Sequence, residues 1–436
     1  MSEGAEVWLV RHARTDANAG GIWQGRTDGD VDAVGESQIA SLRARLRGQH
    51  FDLVLSSPLK RARQTAAVFG EPIIETDLIE IDVGRWDGLT TADLLPGHGP
   101  DLEAYRRGDE VKLGGTGETP GQVSARLESI ISRIFERLQP GQRAVVVSHG
   151  GLLDSLTHGM FGRATSGRRL GGFTENTGIT RLVRRFGASR LATFNDTGHL
   201  GARPNAVARA LDRGRPVIAL VRHGRTRANV EGRWQGQSDW GLDEEGRRQV
   251  GALAAWYGQP DRVISSPLGR ALETARALAP GPEILDGPEI LDGLMELGFG
   301  EWEGLTVDEV RSGHSDLFDR IFVDGQDLRR GSTGESWAEL AFRVRAAIDS
   351  IDPRGGTLTA IVTHGAAIRS YLADLGGAGW SGAARWETPA NSSVSHLILG
   401  QGGPLIVDYS SAMHLEALQP DPTAEKEPTT PNGDEG

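Results

Sequence analysis

The sequence predicts an α/β protein built twice over in tandem, each domain a mostly parallel sheet flanked by helices. Three observations carry this reading. The segment Val7-Trp-Leu-Val-Arg-His-Ala-Arg-Thr-Asp-Ala-Asn18 returns as Ile218-Ala-Leu-Val-Arg-His-Gly-Arg-Thr-Arg-Ala-Asn229, offset by 211 residues, which is too long for a solenoid unit and suits a duplicated domain. Within each copy, short β-rich runs alternate with helical patterns, as in a sheet with helices on its faces. Histidines directly follow apolar runs in both copies, at the carboxyl ends of strands where such sheets bind ligands.

In chain order, the first copy predicts strands at 6–10, 53–56 and 144–148 and helices at 35–47, 59–69, 120–138 and 151–161. The second copy repeats this order. Residues 178–184 with 191–194, and 394–399 with 405–409, read as strand pairs that close each sheet. The domains are expected at 1–200 and 216–418. Between them, 201–215 is a linker, either a short helix or loose chain. The last stretch, 419–436, is rich in Pro, Thr, Asp and Glu without aromatic residues and is expected to be disordered.

Composition narrows the chemistry. Of the 436 residues, 38% are apolar and none is cysteine, which removes thiolate nucleophiles and Cys-based metal sites. A net charge of −12 argues against nucleic acid or an anionic membrane surface as partner. No secretory signal and no apolar run near the roughly 20 residues of a membrane span is visible, so a cytoplasmic protein is expected. All but three of the 47 Lys and Arg residues are arginines, the cation suited to bidentate oxyanion binding.

The motifs repeat as well. Ser56-Ser-Pro-Leu-Lys-Arg-Ala-Arg-Gln-Thr-Ala66 answers Ser265-Ser-Pro-Leu-Gly-Arg-Ala-Leu-Glu-Thr-Ala275, Glu80 with Gly84-Arg-Trp86-Asp-Gly88 answers Glu296 with Gly300-Glu-Trp302-Glu-Gly304, and Ser148-His-Gly150 answers Thr363-His-Gly365. Each half thus brings two arginines and two histidines to the strand ends: Arg11, His12, Arg61 and His149, then Arg222, His223, Arg270 and His364. His149 and His364 also precede a glycine and a new helix, which aims N–H groups at an anion. Glu80 and Glu296 add a carboxyl group to each. Such a set can bind a dianion, attack it and protonate a leaving oxygen without a metal. Each residue also has a plain reading, as rim histidine, surface ion pair or turn carboxylate, and the repetition argues against coincidence. Trp23, Trp86, Trp234 and Trp302 read as packing residues, and His199 and His414 as structural.

Together these four ordered motifs resemble the histidine phosphatase (phosphoglycerate-mutase-like) superfamily, most closely its small bacterial broad-specificity phosphatases. The likeness spans about 6–200 and again 216–415. It implies two tandem phosphoglycerate-mutase-like domains that hydrolyse small phosphorylated metabolites through a phosphohistidine, with no cofactor. His12 and His223 would be nucleophiles, Arg11, Arg61, His149, Arg222, Arg270 and His364 would hold phosphoryl oxygens, Asn18 and Asn229 would add a contact, and Glu80 and Glu296 would be proton donors. One position departs: Ala13 stands where the family usually carries glycine, as Gly224 does, and tolerance is expected because the charged positions are kept. Two alternatives are a mutase-type phosphotransferase, whose members resemble Arg-His-Gly-Glu-Ser where this chain has Ala13-Arg14-Thr15 and Gly224-Arg225-Thr226, and a phospholigand-binding scaffold with one half inactive.

Substrate choice is expected to lie in the divergent segments 89–117 and 305–334. Lys112 and Arg329 each lie six residues before a matched glutamate, Glu118 and Glu335. They either contact a second anionic group on the substrate or are solvated surface charges.

Overall fold

The computed structural model describes residues 4–161, 169–185, 187–279, 287–416 and 418. The expected disordered tail, 419–436, lies outside the described residues. The chain forms two six-stranded sheets. The first comprises β1 (Ala5–Arg11), β2 (Leu53–Ser56), β3 (Ile73–Ile74), β4 (Arg143–Ser148), β5 (Ile179–Arg185) and β6 (Ala188–Asp196), in the order β3-β2-β4-β1-β5-β6. The first four strands of that order run parallel, and β5 and β6 close the sheet antiparallel. The second comprises β7 (Val217–Arg222), β8 (Arg262–Ser265), β9 (Glu289–Ile290), β10 (Leu358–Thr363), β11 (Val394–Ile398) and β12 (Leu405–Ile406), in the order β12-β11-β7-β10-β8-β9.

The central strands are apolar on both faces because helices cover both faces. Val7 and Val10 of β1 and Ala144 to Val147 of β4 are fully buried. The helices Ala33–Arg45, Lys60–Ala66, Pro120–Arg137 and Gly150–Phe161 supply that cover, matched by Glu244–Tyr257, Gly269–Leu278, Trp337–Asp349 and Gly365–Leu375. Pro120–Arg137 shows why such a segment is helical. Thr119 and Gln122 form a capping box, Pro120 occupies the first turn, and Val123, Leu127, Ile130, Ile131 and Ile134 make one buried stripe.

One helix runs against its local signals. Thr91–Arg107 contains Pro96 and Pro100 yet remains helical, framed by a Thr90/Asp93 capping box and by Gly108 in the left-handed region at φ 78°. The second half replaces it with two shorter helices, Val307–Gly313 and Ser315–Phe322. The segment between the halves is also helical, Asn205–Asp212, with Val207 and Ala210 buried against the second sheet and the Glu175 carboxylate accepting from the Asn205 and Ala206 N–H groups.

The halves meet through their closing strands about a pseudo-two-fold axis. Leu191 bridges to Trp386 and Gly171 bridges to Ile406. These are the same contact made twice, because both members shift by 215 residues. Phe194 pairs antiparallel with Tyr409, its own equivalent, on the axis. Phe161 packs edge-on against both Phe194 and Trp386, and one apolar core runs through both halves.

Candidate active sites

Strand register builds each cradle. Arg11 lies opposite Ser148 in the β1/β4 pair, so His12 and His149, one residue beyond each strand, emerge side by side with ring centroids 5.1 Å apart. Arg222 opposite Thr363 does the same for His223 and His364, again at 5.1 Å. The helix after β2 brings up Arg61, whose Nε donates to His12 Nε2 at 3.3 Å. Arg61 and Arg270 are completely buried guanidinium groups, each held by two carbonyls of one loop: Arg61 donates to Gly25 O and Thr27 O, Arg270 to Gly236 O and Ser238 O.

The ring of His12 is fixed by its own chain. Nδ1 lies 2.7 Å from Ala13 O, and His223 Nδ1 lies 2.7 Å from Gly224 O. A carbonyl can only accept, so Nδ1 carries the hydrogen and Nε2 keeps its lone pair. Burial, then the charges of Arg11 and Arg61, holds the His12 pKa well below its ordinary value, and burial with Arg270 and Arg222 does so for His223. Both rings are therefore neutral at pH 7. His149 Nε2 is 2.6 Å from Ser57 Oγ and His364 Nε2 is 2.8 Å from Ser266 Oγ.

Several buried donors have no acceptor. The Nε atoms of Arg11, Arg222 and Arg270 and the Nδ1 atoms of His149 and His364 are buried without a protein partner, although Arg11 and Arg222 each spend Nη1 on a carbonyl, of Thr174 and Pro389. Buried orphan polar groups are uncommon and costly. Their clustering around two neutral histidines fits an anion with several acceptor oxygens. Among the described residues, no group of three His, Cys, Asp or Glu side chains is arranged to hold a metal.

Glu80 lies at the start of the helix that follows His149. Its carboxylate accepts from the Ile81, Gly151 and Leu152 N–H groups. Burial keeps its pKa above the ordinary carboxylate range despite those bonds and the nearby arginines. Glu296 accepts in the same way from Leu297 and Ala366. Asn18 and Asn229 are half-buried, and each Oδ1 accepts from the N–H of its own capping threonine, Thr15 or Thr226. Arg11, His12, Asn18 and Glu80 line one cavity of about 820 Å³, and Arg222, His223, Asn229, Arg270 and Glu296 line a second of about 250 Å³. Arg61 and His149 lie against His12 at the back of the first. Beside Ala13 as beside Gly224, the first histidine keeps its 2.7 Å contact to the following carbonyl and its 5.1 Å spacing to the second histidine.

Other contributors were not among the site residues expected from the sequence. Asn176 Nδ2 donates to His12 O and Asn18 Oδ1, and Asn391 repeats this with His223 O and Asn229 Oδ1. The next residues, Thr177 and Ser392, sit in the left-handed region at φ 58° and 59° in both halves, a conformation costly for a β-branched residue. Asp87 accepts from the Gly25 and Thr27 N–H groups, and Glu303 from Gln237 and Ser238, so the acidic residue of the tryptophan turn braces the loop that grips Arg61 or Arg270. The period of 215 residues between Asn176 and Asn391 was the available signal.

The charged pair at 112 and 329 goes to the surface. Lys112 is exposed and Arg329 pairs with Glu339 on an exposed flank, whereas its neighbour Arg330 is buried and lines the second cavity. Trp86 and Trp302 are buried packing residues, but Trp23 and Trp234 pack on them while also lining the cavities.

A family model described as histidine phosphatase superfamily (branch 1) matches residues 7–197 and again 218–411. The chain belongs to this superfamily. It resembles histidine phosphatase superfamily relatives of single-domain size. The adenosylcobalamin/alpha-ribazole phosphatase of Escherichia coli is 33% identical over 161 residues, 36% of this chain and 79% of that protein. Phosphoserine phosphatase 1 of Hydrogenobacter thermophilus is 33% identical over 147 residues, 32% of this chain and 69% of that protein. A metal-independent phosphoserine phosphatase of Arabidopsis thaliana is 32% identical over 212 residues, 46% of this chain and 85% of that protein. A solved phosphoserine phosphatase mutant of Entamoeba histolytica, in complex with phosphoserine, aligns at 26% identity with a TM-score of 0.40, covering 46% of this chain and 98% of that chain. The Escherichia coli, Hydrogenobacter thermophilus and Arabidopsis thaliana relatives are all phosphatases, and among the described residues of this chain no helix is long and apolar enough to cross a membrane.

Proposed function

We propose that the chain is a metal-independent phosphomonoesterase with an active site in each half, acting on small phosphorylated metabolites. The observation that carries this is the neutral, buried His12 and His223, each presenting an Nε2 lone pair among guanidinium and imidazole donors that have no acceptor. The phosphoryl oxygens fit the unspent donors of Arg11 and His149, or of Arg222, Arg270 and His364, with Asn18 or Asn229 at the edge; Arg61 turns its Nε–H from His12 Nε2 to the phosphoryl group as that nitrogen attacks. Ser57 and Ser266, by donating to Nε2 of the second histidine, leave its Nδ1–H for the anion.

His12 Nε2 attacks phosphorus, a P–N bond forms, the ester P–O bond breaks, and the leaving oxygen takes a proton from Glu80. The imidazolium keeps its Nδ1–H bond to Ala13 O, so charge that develops on the ring is met at once. Water then attacks the phosphohistidine, Glu80 accepts its proton, the P–N bond breaks and inorganic phosphate leaves. His223 and Glu296 run the same sequence in the second half. Burial raises the Glu80 pKa from its ordinary value, the direction that suits a group acting as a proton donor.

Rapid quenching of the full chain with a 32P-labelled phosphomonoester tests this. Acid-labile label is expected at His12 and His223. Full turnover by a folded His12→Ala/His223→Ala double variant would overturn the covalent scheme.

A further inference from the structure

The two cradles are alike, but their surroundings are not. Three positions facing the second cavity carry arginine where the first half has Ile22, Leu113 and Asp154: Arg233, Arg330 and Arg369. Arg330 is the most committed of the three. It is 1% exposed, its Nη1 donates to Asp327 Oδ1 and Leu328 O, its guanidinium lies 4.8 Å above the Trp380 ring, and its Nη2 is buried with no partner. Arg369 lies 5.4 Å above Trp337, donates from Nη2 to Ala383 O, and keeps a buried Nε without partner. Arg233 is already paired with Glu231 and Glu309.

Two guanidinium groups thus hold unspent donors at a small cavity walled by aromatic rings. Leu113, in the place of Arg330, is buried in the first half with an apolar side chain, so the fold does not require a cation there. Burying a cation and leaving part of its donor fork unused is unfavourable unless something arrives to use it. Carboxylates do face these arginines, with Asp327 on Arg330 and Glu296 and Glu387 acting on Arg369. Asp327 is itself occupied by the Trp337 and Ala338 N–H groups. Arg369 lines the same cavity as Glu296 and the aromatic rings of Trp337 and Trp380.

We propose that the second site selects phosphomonoesters whose leaving group carries a second anionic group on a flat or apolar body, held by Arg330 and Arg369 against the aromatic wall, a selection the first site does not make. This rests on the phosphomonoesterase reading. A carboxylate and a further phosphate share the required chemistry.

The test uses the full chain with one nucleophile removed, His12→Ala to report the second site and His223→Ala to report the first. The substrates are phenyl phosphate, 4-carboxyphenyl phosphate, benzene-1,4-diyl bisphosphate and 4-(aminomethyl)phenyl phosphate. In the second site, KM for at least one anionic ester should lie about tenfold or more below that for phenyl phosphate, as a charge-assisted bond to a buried arginine would give, and KM for the aminomethyl ester should lie above it. A preference confined to the carboxylate or to the bisphosphate names the group. Arg330→Leu should raise KM for the anionic ester at least about fivefold more than it raises that for phenyl phosphate, and Arg369→Ala, at a half-exposed position, should act in the same direction if Arg330→Leu does not fold. Equal KM across the charge series, or the same series in both sites, would overturn the proposal while leaving the phosphomonoesterase reading intact. Failure of the His12→Ala chain to hydrolyse any of the four esters would instead remove that reading from the second half.

Discussion

His12 and Glu80 are tuned in opposite directions by the same burial, and that opposition sets the pH response of the first site. In the proposed reaction His12 attacks as a neutral ring, and its pKa is lowered well below 6.5; Glu80 donates a proton, and its pKa is raised above 4.5. First-site kcat/KM, measured in the His223→Ala chain, should therefore persist below the ordinary imidazole range and fall only once His12 takes a proton. On the other limb it should fall as Glu80 loses one. An acid limb at the ordinary imidazole value would show that the ring is not in this environment. Glu80→Gln should lower turnover of an alkyl phosphate by about 10²-fold or more, the usual scale for general acid catalysis, and spare an activated aryl phosphate whose oxygen leaves without a proton. Equal losses on both would remove Glu80 from the acid role. The residues behind these expectations were legible because each stands in a motif repeated at a strand end. Arg330 was not, because the matched distance to a glutamate points to Arg329 and says nothing about which of two adjacent side chains turns inward. In the segment 305–334 the backbone turns Arg329 out to Glu339 and Arg330 in over the Trp380 ring.

Among the elements, the loop of residues 24–28 shows how one short segment positions a buried cation it does not contain. Gly25 and Thr27 offer their carbonyls to Arg61 and their N–H groups to Asp87, so the Asp87 carboxylate orients the loop and the loop orients the guanidinium. Asp87→Ala should cost about 1–3 kcal/mol of stability for the N–H groups left unmet and should weaken inhibition by vanadate about tenfold in the His223→Ala chain. Asp87→Asn, which keeps one acceptor, should recover much of both. Loss of stability without any loss of vanadate affinity would mean that Arg61 does not depend on the loop. The sequence shows this acidic residue in the tryptophan turn but not its target, since the two N–H groups lie 60 and 62 residues earlier. Helix Thr91–Arg107 was hidden for a different reason. Pro96 and Pro100 are local helix breakers, and only burial of Leu94 and Leu102 together with caps at both ends lets the helix run through them.

Across the molecule, the pseudo-two-fold contact makes each half hold a segment that braces the other's cradle. The segment 171–176 supplies Thr174 O to Arg11 and Asn176 to His12, and it is held by the Ile406 pairing; the segment 386–391 supplies Pro389 O to Arg222 and Asn391 to His223, and it is held by the Leu191 pairing. Leu405 and Val407 of the second half line the first cavity directly. None of this could be read from the repeat, because a duplicated motif fixes each domain's fold but not which edges meet. One ion pair in the junction offers a lever. Arg45 donates to Asp196 at 2.6 Å and to Glu416 at 2.8 Å with almost no exposure of its own. Burial alone would raise the Asp196 pKa, but Arg45 pulls it to about 2 from 3.8. Because the folded value is the lower one, this stabilisation is complete above pH 4 and fades as pH falls from there toward 2. Removing one partner of a buried pair typically costs about 3–5 kcal/mol, so Arg45→Ala should lower the melting temperature at pH 7 substantially and by a smaller margin near pH 3. Since Asp196 sits where Phe194 meets Tyr409, the same variant should reduce turnover at both sites, read separately in the His12→Ala and His223→Ala backgrounds. A lower melting temperature with both activities intact would show that the junction holds the halves together without shaping either site.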